Sequence, residues 1–186
     1  MNENAFEPYP IFETERLVLG ELNESDIELV FEFNSNLEAI EYVARDPWTD
    51  IEQAKERMNF FIDAYHKKEA IWWSIKLKSE NKVIGYCGLF NIEKEHNKVE
   101  IGYGLLPGNY GKGLMTEAIK EIVDFAVNKL KLHRIYGIVV PGNTASEKIL
   151  ENFGFKREGV LKDYSYARKK YFDMGMFALI NENSDW

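Results

Sequence analysis

The hydrophobic period changes in mid-chain, and that change limits the fold more than any other feature. Residues 71–77, 83–92 and 99–105 alternate apolar and polar side chains, with polar runs at 78–82 and 93–97 between them. A period of two predicts strands, and the short polar runs predict antiparallel hairpins. After Pro107, Gly108 and Asn109 the period becomes helical: Met115, Ala118, Ile119, Ile122, Ala126 and Leu130 make one stripe over residues 112–131. That stripe predicts a long amphipathic helix that follows directly on the strands.

The remaining segments complete the pattern. Residues 16–22 read as a first strand. Ser25 with Glu28 forms a capping-box pattern before a short helix, with Ile27, Val30 and Phe31 on one face. Thr49 with Glu52 repeats the pattern before a longer helix bearing Ile51, Ala54, Met58, Phe61, Ile62 and Tyr65. Later, residues 134–140 read as strand, 144–152 as helix, and 155–161 and 171–179 as strands. The order β-α-α-β-β-β-α-β-α-β-β predicts a single α/β domain with a mixed central sheet flanked by helices. A length of 186 residues suits one domain. We expect an N-terminal arm over 1–12, the domain over 13–181 and a tail over 182–186.

Charge and cysteine content remove several functions. Lys and Arg number 23 against 31 Asp and Glu, a net charge of −8. A broad basic surface is absent, so direct nucleic-acid binding is not expected. The acidic balance suits an amine or cationic partner. One cysteine, Cys87, excludes an internal disulfide framework and a cysteine zinc site. His66, His96 and His133 lack ligand spacing, so no metal is expected. Cys87 lies in mid-strand and reads as a small buried hydrophobe. The first residues carry no basic start or apolar run of a signal peptide, and no stretch nears the ~18 apolar residues of a membrane span. A cytoplasmic protein without a membrane partner is the expectation.

The chemistry concentrates between Glu100 and Ala118, where a strand ends in a glycine-rich turn and a helix begins. Such a turn aims unpaired N–H groups at one point, reinforced by the helix dipole. Gly111 and Gly113 carry no Cβ to obstruct a close approach. A phosphate or pyrophosphate is the natural guest, although a plain strand-to-helix turn reads the same way. The ATP-binding pattern fails at Leu106 and Gly113, and the dinucleotide pattern fails at Thr116.

A second patch, Asn143 to Phe155, follows a strand and opens another helix. Together with Tyr110-Gly-Lys-Gly-Leu-Met-Thr-Glu-Ala118, it resembles the GNAT superfamily of acyl-CoA-dependent N-acetyltransferases. The strand Glu100-Ile-Gly-Tyr103, the opening Thr14-Glu-Arg-Leu-Val-Leu19 and the late Glu158-Gly-Val-Leu-Lys-Asp-Tyr164 resemble its RimJ/RimL-like branch of ribosomal-protein N-terminal acetyltransferases. The resemblance spans residues 14–179. It implies acetyl-CoA as cosubstrate, no metal, and an amine acceptor: a protein N-terminus, or a small amine such as a polyamine, amino acid or amino sugar. A non-catalytic acyl-CoA-binding domain on the same fold stays open, as does a homodimer.

The superfamily's pyrophosphate turn falls on Tyr110, Gly113 and Met115, of which only Gly113 matches strictly. The resemblance implies amide donors at Gly111, Lys112, Gly113, Leu114 and Met115. It implies pantetheine pairing at Leu105 and a hydrogen bond from Asn143, which also reads as a turn residue. Acetyl transfer needs a neutral amine, an oxyanion donor and a proton for the thiolate. Glu100 is the candidate base, on the strand face opposite Val99 and Ile101, with a solvated strand charge as its plainer reading. A backbone N–H near Leu105 is the candidate oxyanion donor. The superfamily's tyrosine acid is absent, because Leu150 holds its place. Ser146 is the candidate partner of the thiol sulfur, with a first-turn helix role as its plainer reading. Trp72, Trp73, Tyr86, Phe90, Tyr103 and Tyr166 are candidates to line the acceptor site. Arg168, Lys169 and Lys170 read as a solvated basic turn.

Overall fold

A computed structural model describes residues 1–182. Of the expected tail 182–186, residues 183–186 lie outside the described residues. Eight strands form one sheet: β1 (Phe12–Glu13), β2 (Leu17–Glu21), β3 (Ile71–Leu77), β4 (Lys82–Glu93), β5 (Lys98–Leu105), β6 (Arg134–Val139), β7 (Lys156–Ala167) and β8 (Lys170–Ile180). Their order across the sheet is β1-β2-β3-β4-β5-β6-β8-β7. Only β5 and β6 run parallel, so the expected mixed sheet is present.

The helices are α1 (Ile27–Ser35), α2 (Glu52–His66), α3 (Leu114–Asp124) and α4 (Thr144–Asn152). They cover two cores. On one face Met115, Ala118, Ile119 and Ile122 of α3 pack on Trp73, Ile75, Cys87, Leu89, Val99 and Ile101. On the other, Val30 and Phe33 of α1 and Ala54, Met58 and Phe61 of α2 pack with Tyr86 and Leu106. The two-residue period of the strands sorts neighbours such as Trp72 and Trp73 into different cores.

Both helix starts differ from expectation by a residue or two. Before α1 the capping box is Asn23 with Asp26, not Ser25 with Glu28. Asn23 Oδ1 accepts from Ser25 N at 3.0 Å, and Asp26 Oδ2 accepts from Asn23 N at 3.2 Å. Before α2, Asp50 Oδ1 accepts from Glu52 N, and Gln53 Oε1 accepts from Thr49 N and Asp50 N. Each sequence holds two overlapping capping patterns, and the structure uses an Asn or Asp cap rather than Ser or Thr.

The expected helix over 112–131 is shorter and less regular. Positive φ at Gly111 and Gly113 delays its start to Leu114. Beyond Asp124 it widens into a π-turn over Phe125–Lys129, and Phe125, Ala126 and Leu130 stay buried. Strand β7 runs to Ala167, six residues past expectation. It is an edge strand, exposed over most of its length, with register shifts between Arg157 and Gly159 and between Leu161 and Ser165. Bulges and charges of this kind blunt an exposed edge.

The N-terminal arm lies packed on the domain. Phe6 is 1% exposed and belongs to the α3-side core. Tyr65 Oη donates to Phe6 O at 2.7 Å, and Trp73 Nε1 donates to Pro10 O at 2.6 Å.

Candidate active site

Strands β5 and β6 pair only from Lys98–Arg134 to Glu100–Tyr136 and then part. The antiparallel register on the other side of β5 shows what this exposes. Leu106 N donates to Ile84 O at 2.8 Å, and Gly104 and Gly102 pair with Tyr86 and Gly88. Hydrogen bonding alternates along such a ladder. Tyr103 and Leu105 therefore turn their N–H and C=O groups to the side that β6 has left. A ligand amide can pair there as an added strand would. Leu105 offers only its backbone, since its side chain is buried.

The turn after β5 is a cradle of free donors. Gly108, Gly111 and Gly113 all have positive φ. Among the described residues, no protein acceptor takes the N–H of Gly111, Lys112, Gly113, Leu114, Met115 or Thr116. A Cβ at Gly108 or Gly111 would meet nothing within 4 Å, and one at Gly113 only Arg16 Nη2 at 3.6 Å. The protein leaves the space above the turn open, which fits a pyrophosphate held by amides and a helix N-terminus. Leu114 and Met115 contribute backbone only, because both side chains are buried.

Arg16 fixes this turn from the side. Its Nη1 donates to Lys112 O at 2.8 Å and its Nε to Glu117 Oε2 at 2.6 Å. Burial alone would push the Glu117 carboxyl up. Hydrogen bonds from Thr14 and from the Arg16 amide and guanidinium outweigh it and hold the group below its usual range. Arg16 lay in the opening motif, yet its partner stands 101 residues away, a pairing that spacing alone does not reveal.

Asn143 and Ser146 sit at the start of α4 on the same side. Asn143 caps the helix: its Oδ1 accepts from Ser146 N at 3.2 Å. The turn role read from sequence is therefore real, and Nδ2 has no protein partner among the described residues. Tyr103 Oη donates to Ser146 O at 3.4 Å, which ties the edge of β5 to α4. Ser146 Oγ has no protein partner among the described residues. Leu150 is buried and packs beside Gly137, so no acid stands there.

Glu100 faces the opposite side, as the alternation predicted. It shares that face with Gly102, where a Cβ would stand 2.8 Å from Phe90 Cε1. Burial pushes the Glu100 carboxyl above its usual range, opposed by hydrogen bonds from the Asn91 amide and the Tyr136 hydroxyl. Asn91 Nδ2 donates to Glu100 Oε2 at 2.9 Å. Burial, with the nearby Glu100 charge, pushes Tyr136 up to about 12, so its hydroxyl keeps its proton. Asn91 and Tyr136 escaped the sequence reading, because they reach Glu100 only through sheet pairing.

Beside them opens a cavity of about 510 Å³ between α2 and the sheet. Its walls include Phe61, Trp72, Tyr86 and Phe90, with Trp72 stacked on Phe90 at 5.1 Å and tilted against Phe61 at 4.6 Å. Of the six expected aromatics, then, Trp72, Tyr86 and Phe90 line it. Trp73 belongs to the α3-side core, Tyr103 turns toward α4, and Tyr166 is 64% exposed beside Tyr171. Arg45 and Arg57 also line the cavity, and nothing in the sequence marked them. The expected solvated basic turn is corrected at Arg168. Its guanidinium donates to Ile40 O, Glu41 O and Val43 O and lies 4.9 Å from the Phe172 ring, pinning the α1–α2 loop to the β7–β8 hairpin.

The structure thus sets an open cradle of free amides and Ser146 on one side of the β5–β6 opening, and Glu100 with an aromatic cavity on the other. Comparison with known proteins gives the family. The acetyltransferase (GNAT) domain family matches residues 16–156. An uncharacterized N-acetyltransferase, p20 of Bacillus licheniformis, is 35% identical over 90% of this chain and 94% of its own length. The [ribosomal protein uS5]-alanine N-acetyltransferase of Escherichia coli is 28% identical over 67% of this chain and 64% of its own length. The solved structure of RimL, a ribosomal L7/L12 α-N-protein acetyltransferase, in complex with coenzyme A superposes with a TM-score of 0.82. At 21% identity it covers 95% of this chain and 100% of its own and shows the shared fold.

Proposed function

The chain belongs to the GNAT acetyltransferase family and is an N-acetyltransferase, and from that premise we propose that it moves the acetyl group of acetyl-CoA to a protein N-terminal α-amine. The observation that carries this reading is the opening between β5 and β6. One side of it presents free strand-edge and helix-terminal amides, and the other presents a desolvated carboxylate.

Acetyl-CoA would supply a thioester whose acetyl carbon forms the new C–N bond as the C–S bond breaks. The amides from Gly111 to Met115 hold the pyrophosphate, and the edges of Tyr103 and Leu105 align the pantetheine. A free N–H on that edge polarises the acetyl carbonyl. Glu100, directly or through a water, takes the proton that the amine loses on attack. Its raised affinity for a proton suits that task, and Asn91 and Tyr136 orient it. Ser146 Oγ donates a hydrogen bond to the departing sulfur. A thiolate with a pKa near 8.5 leaves without strong acid help.

The test is a calorimetric titration with acetyl-CoA, followed by turnover with N-terminal peptides, spermidine and amino sugars. Micromolar binding and acetylated peptide α-amines by mass spectrometry are expected. Products confined to small amines would overturn the N-terminal reading. Absence of acetyl-CoA binding by the folded protein would overturn the cofactor site.

A further inference from the structure

The cavity beside Glu100 carries charge of both signs, arranged by the elements that build it. Arg57 comes from the first half of α2, and Arg45 from the loop before that helix. Glu69, just past the end of α2, and Glu93, at the end of β4, close the other part. Glu93 is already paired with Lys98 at 3.0 Å.

The guanidiniums have no such partner. Neither Arg45 nor Arg57 forms an ion pair with a carboxylate among the described residues. Arg45 Nη1 donates to Asn34 Oδ1, and its guanidinium lies 5.5 Å from the Trp48 ring. Asn34 in turn donates to Tyr86 Oη at 3.2 Å. Among the described residues Arg57 has no hydrogen-bond partner, and it lies 5.7 and 5.8 Å from the rings of Phe60 and Phe61. Two cations thus share one cavity wall on neutral supports. Such a pair repels a polycation and is stabilised by an anion.

The register along β4 spaces the Arg45 side of the cavity from the Glu100 side. Tyr86, whose hydroxyl network reaches Arg45, and Phe90, which pairs with Glu100, lie four residues apart on β4. At ~3.3 Å per residue that is about 13 Å of strand. An extended peptide of roughly three to four residues covers that length.

Resting on the N-terminal acetyltransferase reading, we propose that the acceptor is an acidic peptide N-terminus. Its α-amine meets Glu100, and a carboxylate within its first residues meets Arg57 and Arg45. A polyamine offers only cations to this cavity. The chain's overall acidity points to a cationic partner, and the two arginines make one wall of the cavity an exception to it.

The experiment compares Ala-Ala-Glu-Ala, Ala-Ala-Gln-Ala and Ala-Ala-Lys-Ala amides and spermidine as acceptors in acetyl-CoA turnover. The acidic peptide should show a KM at least tenfold below the neutral one. Arg57→Gln should remove that difference, Arg57→Lys should retain part of it, and Arg57→Glu should shift preference to the lysine peptide. The acetyl-CoA affinity of each variant, read by calorimetry, serves as the folding check. Equal or better use of the lysine peptide or spermidine by the unmodified protein would overturn the proposal. If no acceptor turns over, the acetyltransfer reading fails. Calorimetric binding of Ala-Ala-Glu-Ala amide that is lost in Arg57→Gln would still uphold the anion site. Absence of that binding would overturn it as well.

Discussion

At the scale of single residues, Glu100 sets function against stability. Burial raises its pKa in the folded state, so the folded chain holds a proton that the unfolded chain releases. Stability therefore falls as pH rises from the unfolded value through the folded one, and at neutral pH the charged carboxylate is a cost. Glu100→Gln should raise the melting temperature at pH 7 while lowering turnover by about 100-fold or more. The turnover loss should shrink at pH 9, where an α-amine of pKa near 8 is already neutral. An equal loss at both pH values would place Glu100 in positioning rather than proton transfer. Ser146→Ala should reduce turnover only a few-fold, because the thiolate leaves readily; loss of all activity in a folded variant would make Ser146 essential. Glu100 and Ser146 could be proposed from sequence because each stands at a fixed step in a local pattern, strand start or helix start. Arg57, Arg45 and Asn91 were not, because a surface arginine or loop asparagine looks the same in sequence until distant elements are packed together.

At the scale of elements, the turn between β5 and α3 is proposed to bind the pyrophosphate through its conformation. The glycines there are crowded by nothing in the protein, so a side chain would be resisted by backbone strain at positive φ and by the guest above it. The two causes separate by substitution. Gly113→Val should both strain the turn, by about 1–3 kcal/mol, and weaken acetyl-CoA binding. Gly113→Asn should keep the fold, since Asn tolerates φ near +73°, and still weaken binding by adding bulk where the phosphate sits. Unchanged affinity in the Asn variant would remove the turn from the site. Strands and helices were legible where period and turn residues agreed, as in Ile71–Leu77 and Thr144–Asn152. The caps were misplaced because Asn23 and Ser25, or Thr49 and Asp50, compete within one short run. Strand β7 was cut short because an exposed edge carries no burial alternation to read.

At the scale of the whole molecule, the N-terminal arm joins both sides of the sheet. It seats Phe6 in the α3-side core, where Tyr65 of α2 donates to the Phe6 carbonyl. Tyr9 Oη donates to Trp72 O, in the strand whose Trp72 ring lines the acceptor cavity. Composition alone left this segment as a loose arm, since twelve residues without a clear period give no sign of where they pack. Phe6→Ala should cost about 3–5 kcal/mol, as truncation of a fully buried Phe does. For a domain of this size that lowers the melting temperature by about 6–20 °C. Below that transition the amides of the phosphate turn remain in place, on other elements, so acetyl-CoA affinity should hold. The KM for the acceptor peptide should rise, because the strand bearing Trp72 loses its brace. An unchanged melting temperature would show that the arm merely rests on the domain. A fall in acetyl-CoA affinity equal to the rise in acceptor KM would show that the two sides of the sheet respond as one body.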